Sequence, residues 1–153
     1  METQKAYKSF RYKTDVVWQS ARRGTLSVAG KPDVVVGSPP EFKGEPDNWS
    51  PEDLLVGSLN TCLMLTFLVY AQSKGVEPVA YQSSAEGLLE SIEGKYRVTE
   101  FTVSPSIVLK SEADLNIARQ LMLEKVEANC FITNSILAKV KLMPEFHVQP
   151  AVS

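Results

Sequence analysis

Between Leu54 and Ser73 the chain runs for twenty residues without a charge. A segment of that kind must be covered by something, and this restricts the fold more than any other feature. A membrane span needs about 20 predominantly apolar residues. Here Gly57, Ser58, Asn60, Thr61, Thr66, Gln72 and Ser73 dilute the run. The reading is therefore a helix of a soluble protein, buried on most sides, and not a membrane span. Its punctuation is clear. Ser50 suits an N-cap, Pro51 suits the first helical position, and Glu52 and Asp53 complement the positive end of the dipole. The helix can run to Lys74, with Gly75 as its stop. At 1.5 Å per residue that is on the order of 35 Å, long for so small a domain, and a break near Gly57 or Ser58 is one of two readings. The apolar circumference from Leu54 to Tyr70 is too large for 153 residues to cover alone, which predicts a homodimer.

Around this helix the pattern is mostly that of strands. Phe10, Tyr12, Thr14, Val16 and Trp18 share one face of a half-buried strand over 9–18. Ala21 to Gly24 reads as a turn, Thr25 to Ala29 as a second strand and Val34 to Val36 as a third, together a meander. Pro39, Pro40, Gly44 and Pro46 make 37–48 a loop. Val79 to Leu89 and Lys95 to Leu109 read as a hairpin about Gly94. Ser111 or Asp114 can cap a helix whose apolar stripe is Leu115, Ala118, Met122 and Val126. A short helix or turn follows 128–135, and Val140 to Val148 closes the chain as one strand. Strands and helices do not alternate regularly, so the class is α+β, in a single domain over 1–153.

Composition removes several functions. Apolar residues make up 44% and charged residues 22%, as in ordinary globular proteins. A formal charge of −2 gives no long-range pull on phosphate, so nucleic acid is not an expected partner. His147 is the only histidine, which argues against Ser-His-Asp catalysis and against zinc sites built from several histidines. No metal or cofactor is expected. Cys62 and Cys130 are the two cysteines and form no CxxC. By position alone Cys62 is an inert core thiol. Cys130 follows one helix and can open another, where a helix N-terminus favours the thiolate. Taken singly, Arg22 and Arg23 are solvated turn residues, Glu52 compensates a dipole, and Trp49 suits a hydrophobic staple.

Their spacing in combination says more. The stretch Trp49-Ser50-Pro51-Glu52-Asp53-Leu54-Leu55, with Ser58-Leu59-Asn60-Thr61-Cys62-Leu63 behind it, resembles the signature of the OsmC/Ohr family. In that signature a Ser/Asn-Pro-Glu opens a long helix carrying a cysteine ten residues after the glutamate. The segment 128–135, Ala-Asn-Cys-Phe-Ile-Thr-Asn-Ser, is similar to the family's Cys-Pro-Ile-Ser-Asn segment. Trp18 with Arg22-Arg23-Gly24 resembles the turn that holds the family arginine, and 38–44 resembles a loop of OsmC-like members. The resemblance implies antiparallel sheets wrapped around a long central helix in an intertwined homodimer. It also implies thiol-dependent reduction of peroxides, organic hydroperoxides especially, with an external dithiol of lipoyl type as reductant. Cys62 matches the attacking position, Cys130 the resolving one and Glu52 the glutamate. Arg22 matches the arginine best, with Arg23 as the alternative.

The chemistry agrees with these roles. A thiol of pKa about 8.5 is mostly protonated at neutral pH, and only the thiolate is a good nucleophile. A guanidinium beside Cys62 would favour the thiolate, and Glu52 would hold that guanidinium. On one straight helix Glu52 and Cys62 stand about 15 Å apart, so either the helix breaks near Gly57 or Glu52 comes from the second copy; the second is preferred, because the resemblance implies an intertwined dimer. Phe131 departs from the family pattern, standing where proline is common. Two other readings are a non-catalytic protein that binds an apolar ligand in the dimer cavity, and a structural dimer with inert thiols. The polar N-terminal stretch and the need to re-reduce the thiols predict a cytoplasmic location.

Overall fold

The computed structural model describes residues 7–152. They fall into two compact units, one ending at Pro51 and one starting at Glu52.

The first unit is the expected meander. β1 (Asp15–Ser20), β2 (Arg23–Ser27) and β3 (Val34–Gly37) form an antiparallel sheet in that order. β1 is shorter than the alternation predicts, and residues 7–14 form no strand. It is also exposed along its whole length rather than half-buried. As an edge strand it pairs only with β2, so within this sheet nothing packs on its apolar residues. The β1–β2 turn places Ala21 at positive φ. The following loop contains a single 3₁₀ turn at Pro40–Phe42.

The second unit is built on α1, β4 and β5. α1 (Pro51–Ser73) is one uninterrupted helix, so of the two readings the one with a break near Gly57 or Ser58 drops out. Ser58 stays helical while its hydroxyl donates to the Leu55 carbonyl at 2.7 Å. The helix ends as Gly75 predicts. Gly75 takes φ +70, its amide donates to the Gln72 carbonyl, and the Val76 amide donates to the Ala71 carbonyl. These are the two bonds of a Schellman stop, and buried Val76 and Ala71 provide its apolar contact.

β4 (Ala80–Ile92) and β5 (Lys95–Leu109) make a long antiparallel hairpin. Its two-residue turn, Glu93-Gly94, has positive φ at both positions, as the twist of paired strands favours. On its other side β5 pairs with β6 (Lys139–Leu142) and β7 (Glu145–Val148), both parallel to it. The single closing strand is therefore two, separated at Met143-Pro144, and this sheet is mixed rather than antiparallel. Proline lacks the amide that a continuous ladder needs there.

α2 (Glu112–Leu121) is capped by Ser111, whose hydroxyl accepts the Asp114 amide at 3.2 Å. It continues through a π-helical turn at Met122–Val126 and a last turn at Glu127–Asn129. The predicted stripe Leu115, Ala118, Met122 and Val126 is buried throughout. From α1 the core takes Leu59, Leu63, Phe67 and Ala71, an i, i+4 row. β5 adds Phe101, Val103, Ile107 and Leu109. Close packing of α1 on β4 is set by Gly87, where a Cβ would lie 2.9 Å from a Val56 methyl.

Candidate active site

The protein's two thiols meet in the second unit. Cys62 is the central residue of α1, on the flank of its buried row, and is partly exposed. Cys130 ends the α2 segment in an extended conformation, φ −72 and ψ 118, and has no exposed surface. Both are reduced, and the Cys130 thiol hydrogen-bonds to the Cys62 sulfur.

The donors around the pair decide which sulfur is the more acidic. Burial works against a thiolate at Cys62. It is outweighed by hydrogen bonds from the Cys130 thiol, the Ile132 amide, Thr66 and the Phe131 amide, so the Cys62 pKa falls below its ordinary value. At Cys130 burial raises the pKa, and the hydrogen bond it gives to Cys62 raises it further. The Thr133 amide, 3.5 Å from the Cys130 sulfur, opposes this without reversing it. The pair is thus arranged with Cys62 as the more acidic thiol and Cys130 as the donor to it. Cys130 lies beyond a helix end but is not the activated thiol that a helix N-terminus would make. Its surroundings are apolar, and the next helical piece is only the 3₁₀ turn Thr133–Ser135.

Thr66 was not singled out as a partner of Cys62, although it stands one helical turn on from it. Its hydroxyl lies 4.0 Å from the Cys62 sulfur and donates to the Cys62 carbonyl at 2.8 Å. The Phe131 and Ile132 amides were not legible, since backbone donors leave no mark in the residue types.

Glu52 lies in the first turn of α1 with Asp53. Its Oε2 is buried and has no hydrogen-bond partner. Because α1 is unbroken, ten residues of rise keep Glu52 about 15 Å along the axis from Cys62 of the same chain. The arginines belong to the first unit. Arg22 donates from its guanidinium to the Phe42 carbonyl, and Arg23 pairs with Glu45 at 3.7 Å. Among the described residues no group of three His, Cys, Asp or Glu could hold a metal ion.

Residues 44–145 match the OsmC-like protein family. The chain belongs to that family. The match includes Glu52, Cys62 and Cys130 and leaves Arg22 outside it. An uncharacterized protein of Bacillus subtilis, YmaD, is 28% identical over 117 residues, covering 74% of this chain and 77% of its own length. Among solved structures, an OsmC-like protein of unknown function from Vibrio cholerae superposes with a TM-score of 0.77 at 23% identity, over 89% of this chain and 99% of that one. An organic hydroperoxide resistance protein from Elizabethkingia anophelis does so with a TM-score of 0.69 at 16% identity, over 93% and 100%. The α+β architecture of this OsmC-like chain is therefore that of a known fold. α1 is also the one helix among the described residues long and apolar enough to cross a membrane. Its row Leu59, Leu63, Phe67 and Ala71 is packed in the protein's own core, so it serves as a core helix.

Proposed function

We propose that this OsmC-like protein is a thiol peroxidase acting on organic hydroperoxides. The observation that carries the reading is the pair itself, an accessible low-pKa Cys62 hydrogen-bonded by a buried high-pKa Cys130. In the first step the Cys62 thiolate attacks the terminal peroxide oxygen. The S–O bond forms, the O–O bond breaks, sulfur is oxidised by two electrons, and the alkoxide leaves as the alcohol after taking a proton. In the second step Cys130, its proton lost to water, attacks the Cys62 sulfenic acid. The S–S bond forms and water leaves. An external dithiol then reduces the disulfide by exchange. The described chain needs no bound cofactor for these steps. Family neighbours described as organic hydroperoxide resistance proteins support the substrate class.

The same reading assigns Arg22 to orient the peroxide and support the thiolate, and Glu52 to hold a guanidinium. The unpartnered Glu52 oxygen suits that role. With α1 unbroken, Glu52 would act on the Cys62 of a second copy. A homodimer is supported by exposed apolar side chains too numerous for a monomer's surface: Leu65 and Val69 on α1, Leu123, Phe131 and Leu137. A cytoplasmic location follows from the need to re-reduce the pair each cycle.

Turnover of cumene hydroperoxide with dihydrolipoamide, compared with glutathione, tests the reading. Dithiol-dependent turnover that vanishes in Cys62→Ser is expected. Turnover unchanged in that variant would overturn it. A second reading, a non-catalytic binder of apolar ligands, has one observation in its favour. A cavity of about 350 Å³ is lined by Leu55, Val98, Phe101, Ile136 and Leu137, with Arg97 as the charged residue. Ligand binding without peroxide consumption would favour it.

A further inference from the structure

Cys130 is tied to its own chain through its amide, its carbonyl and its sulfur. The amide donates to the Glu127 carbonyl at 3.4 Å, the carbonyl accepts from the Asn134 amide at 3.1 Å, and the sulfur accepts from the Thr133 amide at 3.5 Å. Asn134 adds a further tie from its side chain. Its Nδ2 donates at 3.2 Å to the carbonyl of Ala128, in the last helical turn before the cysteine. That carbonyl is among those a helix end leaves without an intrahelical partner. Asn134 thus brackets the point where the chain leaves helical angles, bonding on one side to Ala128 and on the other to Cys130 itself, at φ −72 and ψ 118. Asn134 is exposed, so it fills no space in the core and acts through these bonds. The sulfur it brackets has no exposed surface.

We infer that Asn134 is a positioning residue for the resolving thiol, its side-chain and main-chain amides together fixing where the Cys130 sulfur stands when it attacks sulfur at Cys62. The inference deepens the peroxidase reading and rests on the role that reading gives to Cys130. Closing a disulfide asks for a specific approach, with the sulfurs brought to about 2.05 Å at a dihedral of about 90°. Holding a reactant close to such a geometry supplies much of an intramolecular rate. In the step itself the Cys130 sulfur bonds to the Cys62 sulfur, the S–O bond of the Cys62 sulfenic acid breaks, and the oxygen leaves as water with the thiol proton. Asn134 touches none of those atoms and acts through the position of Cys130.

The same attack can be followed without peroxide, in the reduced full-length protein. Dithiobis(nitrobenzoate) caps the partly exposed Cys62 as a mixed disulfide and releases one thionitrobenzoate. Cys130 then attacks the Cys62 sulfur, the S–S bond to the cap breaks, and a second thionitrobenzoate leaves. Absorbance reads both releases. Asn134→Ala should leave the first at the wild-type rate and slow the second roughly fivefold, the weight of one hydrogen bond. Across pH the second release should fall in plateau without moving its midpoint, since alignment and not acidity is lost. Asn134→Asp keeps the size of the side chain but not its donor, and should slow the second release likewise; it decides the matter if Asn134→Ala does not fold. Asn129→Ala removes another exposed asparagine, next to Cys130, whose Nδ2 donates to the Lys125 carbonyl at 2.8 Å, and should leave both releases unchanged. An unslowed second release in the Asn134 variants overturns the inference, as does equal slowing in Asn129→Ala or a shifted midpoint. Slowed closure in a protein that consumes no peroxide leaves the positioning role standing and defeats the peroxidase reading. Peroxide turnover through both cysteines with closure unslowed does the reverse.

Discussion

Cys62 sits at the centre of an unbroken helix and is partly open to solvent, while Cys130 follows the end of another helical segment and is fully buried. The two side chains are chemically identical, yet their acidities move in opposite directions. Burial raises both. The difference lies in the number and kind of donors each sulfur receives. Cys62 is favoured as an acid by two amides and a thiol proton, with the Thr66 hydroxyl alongside, whereas Cys130 receives the Thr133 amide and gives its own proton away. Nucleophilicity here is a property of the mounting. It comes from a loop contributed by one sulfur's surroundings and delivered to the other.

The most severe way to break this contrast is to remove the accessible thiol. Cys62→Ser should reduce peroxide consumption to the uncatalysed rate, because a serine hydroxyl is not ionised near neutral pH. Stopped-flow loss of peroxide measures it. Cys130→Ser should keep one reduction per chain and lose the rest, leaving Cys62 as a sulfenic acid prone to over-oxidation. Trapping with dimedone followed by mass spectrometry checks this.

The pH dependence sharpens the contrast. The rate of Cys62 alkylation should rise through a midpoint below the ordinary thiol value, while Cys130 stays unreactive until well above it. The signs for stability are opposite too. With its depressed pKa, Cys62 contributes stability that is present above the unfolded value and lost as pH falls through the folded one. Cys130, raised, contributes stability present below the unfolded value and lost as pH rises through its folded one. Denaturant midpoints of Cys62→Ser and Cys130→Ser against pH separate the two slopes. The smallest effect belongs to Thr66→Val. Losing one hydroxyl beside the thiolate costs about 1 kcal/mol, or roughly a fivefold slower attack.

Much of the frame was legible. The charge-free run and its caps marked α1, the Gly75 stop predicted its end, and the bounds of β5 follow directly from 95–109. The i, i+4 logic also found the α2 stripe. Whether α1 breaks near Gly57 was left open by its length; packing on Gly87 and the core row holds the helix through that glycine and Ser58. Parallel pairing of β6 and β7 with β5 was not legible, since strand partners are long-range choices and alternation reports only a face. At the site, Cys62, Cys130 and Glu52 were visible as residue types at a spacing. The donors that set the acidity of Cys62 were not, because two of them are main-chain groups placed by a turn.

The π-helical turn at Met122–Val126 bears on how tightly this arrangement is specified. Such a turn holds one more residue than an α-turn, and each residue in an α-helix advances the direction of its side chain by about 100°. Val126 faces the core on the far side of that extra residue, and Cys130 follows it. The extra residue is thus taken up within the turn itself, and the aim of the second thiol does not depend on it. Deleting a single residue from 122–126 would keep every titratable and sulfur-bearing group needed for chemistry in the chain. It would close the wide turn to an ordinary α-turn and leave Cys130 facing its partner, whereas a second deletion would swing it about a quarter of the way around the helix axis.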